Sequence, residues 1–259
     1  MYNNGEKDKE VNQLMRSSNP VFTNLEKQQF STVSETATKN GVALKTLSLV
    51  VISLVTGFFS LQIAIIAPEF TLGIAAVSGI VSFIAVLIAT FNPKIAGIMS
   101  IIYALFQGLL YGLITHLLDA MFPGVASIAL LGTVIVFVVM FALYQSGLLR
   151  GSPLLRSVVY GALITILVGS LVATVISLVN PVFINSIYSY ELAIGISLFL
   201  IVMGAFMLTL DFERAEQVVN SGLPKAYEWI VALGFMVTLI WIYYNILRFA
   251  VLVMGRNNN

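Results

Sequence analysis

Gln107, His116, Asp119, Asp211, Glu213, Glu216, Glu228 and Asn245 fall within or beside the long apolar runs of this 259-residue chain. A charge at the centre of a bilayer costs about 2.5–3.5 kcal/mol on insertion scales, so groups retained there are where proton or ion chemistry is sought first. Asp211 is the strongest candidate. It ends the uninterrupted run Ile196 to Leu210 and is followed by Glu213, Arg214 and Glu216. On a continuing helix, Asp211, Ala215 and Val218 share one face while Glu213 and Glu216 point elsewhere. Two readings of Asp211 stand side by side: an acid that marks the end of a span and pairs with Arg214, and an acid that serves a functional site. His116 is the single histidine, with Asp119 three residues on and therefore on the same face. An interfacial pair is expected there, with pH sensing by His116 as the sharper alternative.

Other chemistries lack their residues. Serine proteolysis in the membrane needs a base beside its nucleophile, and His116 has no Gly-x-Ser-Gly string within a span to serve. Metal-dependent hydrolysis needs several clustered ligands, and one histidine does not supply them. The absence of cysteine removes disulfides, thiolate metal sites and thiol catalysis together. A net charge of +1 gives no concentrated basic face for nucleic acid. The chain is read as a non-enzyme with no cofactor. A secondary transporter would need broken helices, and Asn92-Pro93 and Asn180-Pro181 both fall in expected loops.

The elements that must position the polar groups are seven apolar stretches, approximately Thr46 to Ala67, Thr71 to Thr90, Ile95 to Leu118, Gly124 to Gly147, Arg156 to Val179, Glu191 to Leu210 and Trp229 to Met254. At a rise of about 1.5 Å per residue, some 20 residues cross a hydrocarbon core of about 30 Å, so each is expected to span a membrane as a helix. Only 10% of the residues are charged. Lys7, Lys9, Arg16, Lys27, Lys39 and Lys45 precede the first stretch, Lys94 lies between the second and third, Arg150 and Arg156 between the fourth and fifth, and Arg214 and Lys225 between the sixth and seventh. The intervening gaps hold no lysine or arginine. Positive residues favour the cytoplasmic side, which predicts the N-terminus inside and the C-terminus outside. Residues 1–45 read as a polar, mobile cytosolic tail with a short interfacial helix around Asn24 to Ser34, residues 46–254 as the membrane domain, and 255–259 as a short polar tail.

Packing signals are present as well. Gly108 and Gly112 form a GxxxG pair, and Ala75, Ser78, Gly79 and Ser82 a stripe of small residues, both suited to close helix approach. Trp229, Trp241, Tyr243, Tyr244 and the Tyr188-Tyr190 pair include expected interface anchors.

Several strings, in order, carry a family resemblance. They are Ser18-Asn19-Pro20, Tyr103-Ala104-Leu105-Phe106-Gln107-Gly108, Phe122-Pro123-Gly124-Val125, Leu143-Tyr144-Gln145-Ser146-Gly147, Leu210-Asp211-Phe212-Glu213-Arg214-Ala215-Glu216, Gly222-Leu223-Pro224-Lys225, Tyr227-Glu228-Trp229 and Trp241-Ile242-Tyr243-Tyr244-Asn245-Ile246-Leu247-Arg248. Together with the seven-span layout, they resemble the YccA-like bacterial branch of the Bax inhibitor family over nearly the whole chain after residue 17.

The resemblance implies an all-α fold of seven transmembrane helices, six wrapped around a central C-terminal helix. It also implies a pH-dependent calcium leak or, as the alternative, restraint of a membrane AAA protease through the N-terminal tail, in either case at a bacterial inner membrane. In the leak mechanism an aspartate on helix six and one on helix seven share a proton or a hydrogen bond near the cytoplasmic mouth, and such a pair titrates as a unit. Asp211 matches the first position. The second matches Asn245, and the helix-three position that is often Glu matches Gln107, so this chain departs from the family pattern at both. Asn245 is expected to hydrogen-bond Asp211 without exchanging a proton with it. Gln107, Glu213, Glu216 and Arg214 are the expected pore or mouth residues. Calcium prefers six to eight oxygens, so Asp211 with two amide carbonyls would make a weak calcium contact.

Overall fold

The structure, a computed structural model, describes residues 35–180 and 189–257. The tail through Ser34, with the helix expected at Asn24 to Ser34, lies outside the described residues, as does Tyr188. The described residues form seven α-helices: α1 Lys39–Ile66, α2 Thr71–Phe91, α3 Ala96–Met121, α4 Val125–Gln145, α5 Pro153–Val179, α6 Tyr190–Asn220 and α7 Tyr227–Asn257. A short 3-10 turn, Pro68–Phe70, joins α1 to α2. Among the described residues there is no strand, and each helix is long and apolar enough to cross a membrane.

Helix ends are set by local chemistry, and several differ from the limits of the apolar stretches. The α1 helix begins at Lys39, ahead of Thr46, because the Thr38 side chain caps it by accepting from Gly41 N. Ser152 caps α5 with Pro153 in the first turn, and Ser189 caps α6. At its far end α6 runs on past Leu210 to Asn220, since hydropathy reports the bilayer and backbone hydrogen bonds do not stop there. Gly222, at φ 62, then permits a left-handed turn in which Gly222 N donates to Val219 O and Leu223 N to Val218 O.

The α7 helix is central. Val231, Ala232, Leu233, Phe235, Met236, Ile242, Ile246, Leu247 and Ala250 are buried around its circumference, as expected for a helix apolar on all sides. It packs on α1, α2, α3, α4 and α6. The α5 helix is the outer one: it buries only Val159 and reaches the bundle through α6.

Close approaches fix the directions of the helices. Gly57 of α1 lies against Gly108 and Gly112 of α3, so the GxxxG pair is a helix contact as its spacing suggests. Ser78 and Ser82, from the small-residue stripe on α2, are buried too. Gly97 lies against Trp229, which sets α3 and α7 parallel, whereas Trp241 Nε1 donates to Leu200 O at 3.2 Å and Gly204 sits under Ile242, which sets α6 and α7 antiparallel. The starts of α1, α3 and α7 and the end of α6 therefore gather at one end of the bundle, the end that carries Lys45, Lys94 and Lys225.

Candidate functional site

The antiparallel seam between α6 and α7 positions Asp211. Thr238 Oγ1 donates to Asp211 Oδ2 at 2.6 Å, and Oδ1 lies 3.7 Å from where a Cβ on Gly234 would stand. A hydroxyl and a missing side chain on adjacent turns of α7 thus make room for the carboxyl and give it a donor. Phe212, one residue on and about 100° round the helix, enters a cluster with Phe137, Phe141 and Tyr144 of α4 and Phe235 of α7, at ring separations of 5.1–5.8 Å. That cluster ties α6 to α4 and α7 beside Asp211.

Asn245 is not the partner of Asp211. Its Nδ2 donates to Trp241 O at 2.8 Å within its own helix, and its Oδ1 meets no donor. Register explains the difference: Thr238 and Asn245 are seven residues apart, two turns on the same face, so the second lies about 10 Å farther along the axis. Both side chains do face inward, and Asn245 is only 2% exposed.

The remaining expected residues are dispersed. Gln107 on α3 donates from Nε2 to Tyr103 Oη at 3.3 Å, and its Oε1 is buried without a partner. Arg214 is exposed and forms no ion pair with Asp211, which removes the pairing proposed for an acid at the end of a span. Glu213 pairs with Arg156 at 2.6 Å and so ties the start of α5 to α6, in a recess left by Gly151. Glu216 accepts from Tyr144 Oη at 2.6 Å, joining α6 to α4. These acids are fastenings between helices rather than a ring around a mouth.

At the other end, Asp119 does not pair with His116. Its Oδ1 accepts from Gly124 N and Ala126 N, both at 3.1 Å, because the first amides of α4 have no partner within the helix. Trp241 and Tyr243, expected as interface anchors, make contacts between helices instead: the first reaches Leu200 O, and the Tyr243 hydroxyl lies 2.7 Å from Thr115 Oγ1.

Two features escaped the sequence reading. Thr238 is one, a neutral residue in an apolar stretch with no charge to mark it. The other is a buried ion pair between Lys45 of α1 and Glu228 of α7, whose carboxylate also accepts from Thr38 N at 2.8 Å and Thr38 Oγ1 at 3.2 Å. Lys45 lies 5.2 Å from the centroid of the Trp229 ring as well. Glu228 and Trp229 show in the sequence as the opening of a helix, whereas Lys45 bears there only on orientation.

Among the described residues, no three His, Asp or Glu side chains cluster to hold a metal ion. Asp211 and Thr238 offer a passing cation one carboxylate and one hydroxyl, well short of a calcium cage. What the seam can do is take up or release a proton at a point where α6 is joined to the central helix.

Comparison with known proteins adds one match. A family model described as Bax inhibitor 1 like covers residues 19–255. No curated protein and no solved structure gives a significant match.

Proposed function

The chain belongs to the Bax inhibitor 1 like family, and from that premise we propose that it is a pH-sensitive cation leak pathway, of the YccA-like kind, in which the Asp211–Thr238 contact is the gate. The observation that supports this most directly is the hydrogen bond of 2.6 Å between a carboxyl on α6 and a hydroxyl on the central helix α7, inside helices otherwise apolar enough to span a bilayer. An ionisable residue at such a place is costly and calls for a role.

Ionised Asp211 accepts a charge-assisted hydrogen bond from Thr238, stronger than a neutral one, and this ties α6 to α7. Protonation weakens the tie and lets the seam part, so calcium passage rises as the cytosolic side is acidified. In this reading Lys45, Lys94, Arg150, Arg156 and Lys225 mark the cytosolic end, so the N-terminus is inside, and the YccA-like resemblance implies a bacterial inner membrane.

The test is calcium flux from liposomes carrying the purified protein, followed over about pH 5 to 8. Wild type is expected to show a pH-dependent leak. Asp211→Asn should leak at a rate that no longer responds to pH, and Thr238→Val should leak more at neutral pH. No flux from any of the three across the range overturns the channel reading. It would favour the regulatory alternative, in which Met1 to Lys39 bind a membrane protease.

A further inference from the structure

We infer that Asn245 is a second, hydrated polar station on the α6–α7 seam, separate from Asp211, whose carbonyl oxygen receives an electropositive guest: a water hydrogen or a desolvated cation. Three observations lead there.

The first is the fixed direction of the amide. Trp241 O can only accept, so the atom of Asn245 that faces it at 2.8 Å must be the nitrogen, and the planar group then presents Oδ1 away from its own helix backbone. The second is the state of that oxygen. Asn245 is 2% exposed, and among the described residues no side-chain or backbone donor reaches Oδ1. A buried acceptor left without a donor is costly, and such groups in folded proteins are met by ordered water or ions.

The third is what stands across the seam. The pairs Leu200 with Trp241 and Tyr190 with Leu252 fix the register, which brings Ser197 of α6 to the level of Asn245. Ser197 is small and fully buried, so a short polar side chain rather than a long apolar one stands there on α6. Ser197 Oγ donates to Ala193 O at 2.8 Å and keeps its own lone pairs to accept. Toward Asp211 the seam is closed, because Ile242 and Trp241 press on Gly204. Asn245 therefore sits beyond an apolar constriction, about two turns from the acid. This inference goes beyond the gate and does not require that the protein conduct.

The native chain has no cysteine, so one substitution gives one thiol in the full-length protein. Asn245→Cys, in liposomes, is expected to react with a small water-soluble cationic thiosulfonate at least tenfold faster than Leu247→Cys, a fully buried neighbour on the same helix. Equal, slow reaction at both positions would mean a dry site and overturn the inference.

A second measurement guards against misfolding of the cysteine variant. Removing an orphaned dry amide should raise the unfolding temperature, whereas removing one that holds a guest should lower it. Asn245→Leu is therefore expected to melt below wild type, and a higher melting temperature counts against the inference. Calcium, sodium and potassium chloride then tell the guests apart. A salt-specific rise in Tm that is kept in Asp211→Asn and lost in Asn245→Leu identifies a cation. A reactive thiol with no such rise identifies water.

Discussion

Removing either partner of the Lys45–Glu228 pair is expected to destabilise the protein by about 3 kcal/mol, because the remaining charge stays buried without its counter-ion. Glu228 is fully buried, and after loss of Lys45 its carboxylate keeps, among the described residues, the donors from Thr38. Lys45→Met and Glu228→Gln should each melt lower, while the double variant recovers part of the loss, as read from thermal unfolding in detergent. Additive losses would mean that the two side chains act separately. Charge at residue scale was legible only one residue at a time. Asp211 announced itself by interrupting an apolar run, and Glu228 by opening a helix. Their partners did not, since Thr238 and Lys45 are chosen by the rotation and register of helices far apart in the chain. The same blindness assigned Asn245 to Asp211: both are inward and polar, but a seam has length, and seven residues along it separate them.

At the scale of elements, glycines that look alike in sequence carry very different loads. A Cβ on Gly112 would stand 2.6 Å from Gly57 Cα, backbone that has nowhere to go, whereas a Cβ on Gly161 of α5 meets nothing within 4 Å. Gly112→Val is therefore expected to force α1 and α3 apart, at an overpacking cost of about 1–3 kcal/mol or more. Gly161→Val should leave the melting temperature within about a degree of wild type, since surface changes away from packed features cost little. Equal losses at both positions would mean that α5 is packed by something beyond α6. The GxxxG spacing disclosed a close contact without disclosing its partner. Seven apolar runs gave the helices and their number, yet nothing in the hydropathy of α5 distinguished it from the buried α7. In a membrane both read as uniformly apolar, because lipid and protein interior make the same demand on a side chain.

For the whole molecule, the alternation of basic residues between gaps becomes a spatial asymmetry once the helices pack. The contacts of Gly97 with Trp229, Lys45 with Glu228 and Arg156 with Glu213 bring the starts of α1, α3, α5 and α7 and the end of α6 to one end. That end is expected to face the cytosol. Single cysteines at Ser146 and Ser221 mark it, and at Glu69 and Pro123 they mark the other; all four positions are exposed. In intact cells an impermeant thiol reagent should block Glu69→Cys and Pro123→Cys and spare Ser146→Cys and Ser221→Cys. The opposite pattern would invert the protein and change which side the proposed gate faces. Asp211 lies level with Gly234 and Thr238, about 10–16 Å along α7 from its start at Tyr227, and so within reach of protons from the basic end. Between it and the far end stand Ile242, Trp241 and the closed approach to Gly204. Under the proposed gate, with the basic end inside, the acid would report cytosolic pH. With that end outside, the same residue and the same hydrogen bond would report the pH beyond the membrane, and acid applied to the two faces of a liposome would exchange their effects.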